Sequence, residues 1–135
     1  MLLADAGALC AVFDSREPDH AACKRVLKET NRPMITTWPV VTESMHLLGS
    51  VAGWRAQEKL WSLIERGALV VAPPTLPQVA RARALMDKYR DIPMDLADAS
   101  LVALAEERGL RRVFTLDGDF EVYRLNGRIA FEVVP

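Results

Sequence analysis

The sequence predicts a three-layer α/β/α domain with a mainly parallel central sheet. Short apolar runs alternate along the chain with longer helix-patterned segments. The runs are separated by far more than a hairpin turn, and parallel strands need such crossovers whereas antiparallel neighbours do not. Alternation of this kind marks a sheet covered by helices on both faces. The chain's 135 residues suit one domain, spanning 1–135, with enough interior to fold alone.

Met1–Ala4 reads as a short buried strand that ends at Asp5, followed by a short helix through about Phe13. Pro18 opens a second helix running to about Thr30, with Ala21, Ala22, Val26 and Leu27 expected on its inner face. Met34–Thr37 suits a second strand. Pro39 fits the first turn of a third helix, where its missing N–H costs nothing. That helix reaches about Val51, and Gly53 is its stop. Trp54–Arg66 is amphipathic, with Trp54, Leu60, Trp61 and Ile64 on one side and Gly67 as terminator. Trp54 and Trp61, one heptad apart, are expected in the core. Ala68–Ala72 is a third strand, and Pro73, Pro74 and Pro77 punctuate the turn into a helix from Leu76 to Tyr89. A further helix covers Leu96–Arg108 and is closed by Gly109. Val113–Leu116 is the fourth strand and Ile129–Val133 the fifth.

Half of the residues are hydrophobic and 26% are charged, the balance of a globular protein. The net charge of −1 leaves no global attraction to nucleic acid or acidic membranes. This counts against a simple nucleic-acid-binding module, which usually carries a basic excess, but not against an enzyme whose acidic site offsets basic patches elsewhere. Cys10 and Cys23 stand in helix-patterned stretches without Cys or His partners at ligand spacing. They read as buried free thiols in a reducing compartment. No signal peptide or membrane span is visible, so the expected location is cytoplasmic.

Eighteen acidic residues are an ordinary number; their placement is informative. Asp5 directly follows the first apolar strand and Asp117 the fourth. In open α/β sheets, ligands bind beyond the carboxyl ends of the strands. Either Asp alone reads equally well as a turn or cap residue. Glu43 lies three residues after Val40 and four before Leu47, on the apolar stripe of its helix. A carboxylate there is costly unless it is paired, metal-bound or at the stripe's edge. Asp98 heads the stripe of Leu101, Val102 and Ala105, and Asp95 three residues earlier is the natural N-cap. Asp95 is therefore a cap first and an auxiliary ligand second. Asp119 follows Asp117 across Gly118, whose tight turn would let both acids face one site, or leave Asp119 solvated.

Should Asp5, Glu43, Asp98 and Asp117 converge, two carboxylates about 5 Å apart would repel by roughly 3 kcal/mol at an effective dielectric of about 20. A hard divalent cation removes that conflict, and all-oxygen ligation with retained waters suits Mg²⁺ or Mn²⁺. Such an ion lowers the pKa of water and clamps phosphate oxygens, the requirements of phosphodiester hydrolysis.

Four stretches carry a specific resemblance. They are Leu3-Ala4-Asp5-Ala6-Gly7-Ala8-Leu9, Thr37-Trp38-Pro39-Val40-Val41-Thr42-Glu43, Asp95-Leu96-Ala97-Asp98-Ala99-Ser100-Leu101 and Val113-Phe114-Thr115-Leu116-Asp117-Gly118-Asp119-Phe120. In this order and spacing the chain resembles a PIN domain, and within that group the VapC toxins of bacterial toxin–antitoxin pairs. The resemblance spans nearly the whole chain. It implies a PIN-like α/β/α fold and an endoribonuclease dependent on Mg²⁺ or Mn²⁺. Asp5, Glu43, Asp98 and Asp117 would be its catalytic and metal-binding acids, with Asp119 a fifth ligand and the Thr115 hydroxyl steadying the site. Water would attack a backbone phosphorus in line, leaving a 5′-phosphate and a 3′-hydroxyl. The resemblance also implies a homodimer, inhibited by a small antitoxin that delivers a basic side chain to the acids. Gly7 is a departure, because relatives usually carry Ser or Thr two residues after the first Asp.

Arg81, Arg83, Lys88 and Arg90, with Arg111 and Arg112, are available to hold RNA phosphates, although such runs are more often solvated helix faces. Trp38 suits a buried helix anchor better than a base-stacking platform. His20 and His46 suit surface or helix-packing roles. A receiver-like signalling domain would need a Lys after the last strands, which this chain lacks. The nearer alternative is a PIN-like module that binds RNA or protein without cutting.

Overall fold

The computed structural model describes residues 1–135. Its elements run Leu2–Ala4 (β1), Ala6–Phe13 (α1), His20–Glu29 (α2), Met34–Thr37 (β2), Trp38–Ala52 (α3), Trp54–Glu65 (α4) and Leu69–Ala72 (β3). They continue with Leu76–Lys88 (α5), Leu96–Arg108 (α6), Arg112–Phe114 (β4), a 3₁₀ turn at Gly118–Glu121, Arg124–Leu125 (β5), Ile129–Ala130 (β6) and Glu132–Val134 (β7). The expected α/β/α class is what the chain adopts. Five strands in the order β3-β2-β1-β4-β7 form the central sheet, and each neighbouring pair is parallel.

Central strands with helices over both faces are buried throughout, so β1 and β2 are apolar or hydrogen-bonded at every position. Leu3 pairs with Ile35 on one side and with Val113 on the other. Thr36 is the buried hydroxyl among them, and it donates to the carbonyl of Ala4 at 2.7 Å. The strand order reverses at β1, which has β2 on one side and β4 on the other. Beyond the carboxyl ends of such a pair the chain leaves a crevice. Asp5 and Thr115 to Asp117 emerge there.

Several expectations need correction. The inner face of α2 is carried by Cys23, while Ala21 is exposed and Ala22, Val26 and Leu27 are only partly covered. On α4 the buried residues are Ala56, Leu60 and Leu63; Trp54 is 62% and Trp61 36% exposed, so neither belongs to the core. Both indoles lie on the outer side, where seven-residue spacing keeps them together as well as it would inside. The single last strand is instead two elements. Asn126 and Gly127 both have positive φ, 51° and 73°, and turn the chain so that β5 and β6 form a small antiparallel ladder before β7 joins the main sheet. The Asn-Gly pair is the signal for such a hairpin.

Cys10 and Cys23 are buried free thiols, as expected. A ring nitrogen of His20 lies 2.7 Å from the carbonyl of Ala11, a helix-packing role, and His46 is exposed. Trp38 is 46% exposed rather than a buried anchor. No helix is long and apolar enough to cross a membrane.

Candidate active site

Asp5 ends β1 and begins α1. Its backbone N–H continues the sheet ladder to the carbonyl of Phe114 at 2.9 Å. Its side chain accepts twice, from the N–H of Ala6 at 2.8 Å on Oδ1 and from the Thr115 hydroxyl at 2.7 Å on Oδ2. The cap and site readings of Asp5 therefore coincide in one buried carboxylate.

Asp98 arrives from the first turn of α6. Asp95 is the N-cap of that helix and accepts from the Asp98 N–H at 2.8 Å, as the capping pattern predicts. Asp98 itself turns inward and is buried, with Oδ2 accepting from the Tyr123 hydroxyl at 2.8 Å. Asp117 follows β4. Its N–H donates to Thr115 Oγ1 at 3.0 Å, and its Oδ1 accepts from the N–H of Asp119 at 2.9 Å, capping the 3₁₀ turn. One hydroxyl, that of Thr115, thus ties the ends of β1 and β4 together.

These placements bring one ligand oxygen each from Asp5, Asp98 and Asp117 within 4.8 Å of one another. Around them lies a cavity of about 270 Å³ that Glu43, Asp95 and Gly7 also line. Glu43 is half-buried, outside the three-oxygen cluster, where the apolar stripe of α3 gives way to the cavity wall at Leu47. Asp119 is half-buried and does not line the cavity; its backbone, rather than its carboxylate, serves the cluster by donating to Asp117. Tyr123 was not legible in the sequence as a site residue. It is 25 positions from Asp98, and no local spacing links the two.

Burial is the main influence on these acids. It raises Asp5 above the ordinary carboxylate range despite the hydrogen bonds from Thr115 and Ala6, and Asp117 and Asp95 add like-charge repulsion. It raises Asp98 to about 7, against the opposing hydrogen bond of Tyr123 and with Asp5, Asp95 and Asp117 pushing the same way. Glu43 is raised by burial, then by Asp95, Asp5 and Asp117. Asp119 is raised by burial and then by Asp117 and Asp95. No cation of the protein neutralises the cluster: the ion pairs join Arg16 to Asp14, Arg81 to Glu106, Arg90 to Asp87, and Arg111 and Arg112 to Glu132. Three converging carboxylates with no basic partner fit a hard divalent cation, since the donor set is all oxygen and each carboxylate is already held by a hydrogen bond of its own.

The sequence matches the PIN domain family over residues 2–125. The chain belongs to the PIN domain family. A curated relative, Ribonuclease VapC26 of Mycobacterium tuberculosis, is 30% identical over 135 residues, covering 99% of this chain and all of that one. Among solved structures, VapC20 of Mycobacterium tuberculosis, described as a sarcin–ricin loop cleaving toxin, superposes with a TM-score of 0.84 at 20% identity, over 90% of this chain and 94% of that one. A toxin–antitoxin complex from Klebsiella pneumoniae gives 0.68 at 18% identity over 89% and 90% of the two chains. FitAcB from Neisseria gonorrhoeae gives 0.64 at 18% identity over 100% and 97%. These three likenesses establish the PIN fold. In this PIN domain, Gly7 faces open space, and a Cβ built there would meet nothing within 4 Å. The missing Ser or Thr leaves Asp5 with both oxygens engaged by other donors.

Proposed function

We propose that this PIN domain is a Mg²⁺- or Mn²⁺-dependent endoribonuclease and the toxin of a type II toxin–antitoxin pair, acting in the cytoplasm. The observation that carries the reading is the meeting of Asp5, Asp98 and Asp117 oxygens within 4.8 Å at the switch point of a parallel sheet. The relative named as a ribonuclease, matched end to end, supports the choice of RNA. Asp5, Asp98 and Asp117 would hold the cation, with Glu43 beside it or at a second ion and Asp119 as an outer contributor. When bound, the cation would supply charge neutralisation, a lowered pKa for water and a clamp on phosphate oxygens. The chain's own part is orientation. Thr115 fixes Asp5 and the backbone of Asp117, the Asp95 cap fixes the start of α6, and Glu43, which lines the same cavity, would be the group to accept a proton from attacking water. A module that only bound RNA or protein would gain nothing from three mutually repelling carboxylates, two of them buried.

Incubating the purified protein with structured RNA, in Mn²⁺ or in EDTA, tests this. The expected result is cleavage that needs the metal and disappears in Asp98→Asn. Cutting in EDTA, or an undiminished Asp98→Asn protein, would overturn it.

Two partners belong to the same reading. The toxin–antitoxin complex among the structural neighbours supports an antitoxin. Leu47 on the cavity wall and Val51 one turn along α3 are exposed apolar residues on one helix face, a suitable bed for an amphipathic segment that ends in a basic side chain at the acids. A short reading frame immediately upstream, whose product co-purifies with this chain, is the expected finding. For the homodimer, exposed Trp38, Val79 and Leu96 line an apolar groove of about 540 Å³ together with Ala82 and Met86. Light scattering at micromolar concentration should give twice the chain mass, and Val79→Glu should return it to a monomer.

A further inference from the structure

Asp98 is held differently from the other two acids of the cluster. Asp5 is held by a hydroxyl of the neighbouring strand end and by its own helix, and Asp117 by the next turn of its own loop. The one hydrogen bond to the Asp98 carboxylate comes from Tyr123, which donates to Oδ2 at 2.8 Å. Tyr123 lies just beyond the 3₁₀ turn that Asp117 caps, so a residue of the Asp117 loop reaches back to the acid of α6. Its ring is fully buried, edge-on to Tyr89 at 5.1 Å and to Phe120 at 5.2 Å, and Phe120 is edge-on to Phe131 at 5.5 Å. A phenol wedged between two aromatic rings, one of them backed by a third, has one orientation, and its oxygen is delivered to one place.

We infer that Tyr123 is a positioning residue for the metal site: its hydroxyl occupies one oxygen of Asp98 and turns the other toward Asp5 and Asp117. The inference rests on the metal-site reading above and adds a residue to it. An Asp in the first turn of a helix has several open rotamers, and repulsion from Asp5 and Asp117 favours those that point away. A donor on Oδ2 makes the inward rotamer the satisfied one before any cation arrives. Such partners, standing behind a ligand, typically set affinity by about 10- to 100-fold.

The experiment is a Mn²⁺ titration of the purified protein, read from the paramagnetic resonance signal of the free ion, on the parent, Tyr123→Phe and Tyr89→Phe. Tyr123→Phe keeps the ring and removes only the donor. Tyr89→Phe is a packing control, because the Tyr89 hydroxyl accepts from the Arg124 N–H and does not touch the acids. The expected result is Mn²⁺ affinity weakened about tenfold or more in Tyr123→Phe, unchanged in Tyr89→Phe, with cleavage by Tyr123→Phe regained as Mn²⁺ is raised. Equal affinity in parent and Tyr123→Phe would overturn the inference while leaving the nuclease reading intact. An equal loss in both variants would assign the effect to packing, and a Tyr123→Phe chain that unfolds without metal would make the hydroxyl a strut of the fold. Either result overturns the inference. A parent that binds no Mn²⁺ would remove the metal-site reading and this one with it.

Discussion

The hydroxyl of Thr115 donates to Asp5 across 110 residues of sequence, and the same oxygen accepts the backbone N–H of Asp117. Two acids from different strands thus share one small side chain as their spacer. Thr115→Val keeps the shape and removes both bonds, leaving a buried carboxylate oxygen and an N–H without partners. A loss of about 1–3 kcal/mol in stability is expected. Mn²⁺ affinity should fall as well, while Thr115→Ser should retain most of both properties. Urea unfolding and metal titration of the two variants check this, and a Thr115→Val protein as stable as the parent would show that the hydroxyl is dispensable.

Burial, together with repulsion from Asp5, Asp95 and Asp117, gives the metal-free site a definite pH response. Asp98 titrates at about 7 in the folded chain against an ordinary 3.8, so between those values the folded state holds a proton that the unfolded state has released. Stability must therefore fall as pH rises through this window and level off above it. Asp5 and Glu43, also raised, act in the same direction. Asp14 is lowered by its hydrogen bonds from Arg16, and its contribution is lost only at more acidic pH, outside the window. The melting temperature without metal should be higher at pH 5 than at pH 8, and saturating Mn²⁺ should raise it far more at pH 8 than at pH 5. Asp98→Asn should narrow the metal-free difference. A metal-free melting temperature that climbs from pH 5 to pH 8 would contradict the crowding of these acids.

Much of this was legible because the chemistry follows the strand pattern. Asp5 and Asp117 could be placed at one edge of the sheet because parallel strands all end on the same side, and Glu43 stood out as a charge on an apolar stripe. Asp98 was legible only as a conflict, since a cap at Asp95 explained one acid and left the other facing inward. Tyr123 was not legible, because its partner is brought to it by tertiary packing alone. The same limit explains Trp54 and Trp61: helical spacing says that two side chains share a face, and the packing of α4 on its neighbours decides which face is covered. The β5–β6 hairpin has a local signal in Asn126-Gly127, but its first strand, Arg124-Leu125, is too short to show a strand pattern, and the second lies inside the run Ile129–Val133.

Gly7 separates this chain from the pattern it resembles, and the structure gives it no steric reason. It stands in the first turn of α1, lines the acidic cavity and has room for a side chain. Gly7→Ser should therefore stabilise the protein by about 0.5 kcal/mol through helix propensity. Because both oxygens of Asp5 already have donors, Mn²⁺ affinity should change little. Denaturant unfolding measures the first effect and a metal titration the second; a tenfold gain in affinity would mean that the absent hydroxyl had limited the site.

Arg81 was a candidate phosphate contact, and its surroundings point elsewhere. Its guanidinium makes two hydrogen bonds to Glu106, at 2.7 and 3.0 Å, and the same carboxylate accepts the N–H of Asn126 at 3.0 Å. The pair joins α5, α6 and the turn of the β5–β6 hairpin. Burial works to raise Glu106, but the bonds from Arg81 and Asn126 outweigh it, and its pKa is lowered on balance. Removing the arginine would leave that mostly covered carboxylate with one donor. Arg81→Met should cost about 2 kcal/mol, between the values for exposed and fully buried pairs. It should leave the salt dependence of RNA binding unchanged, because a guanidinium committed to Glu106 releases no counterion from a phosphate. Arg83, which has no carboxylate partner and lines the apolar groove, is the contrasting case. If Arg81→Met instead flattened the salt dependence at unchanged stability, Arg81 would be a phosphate contact after all.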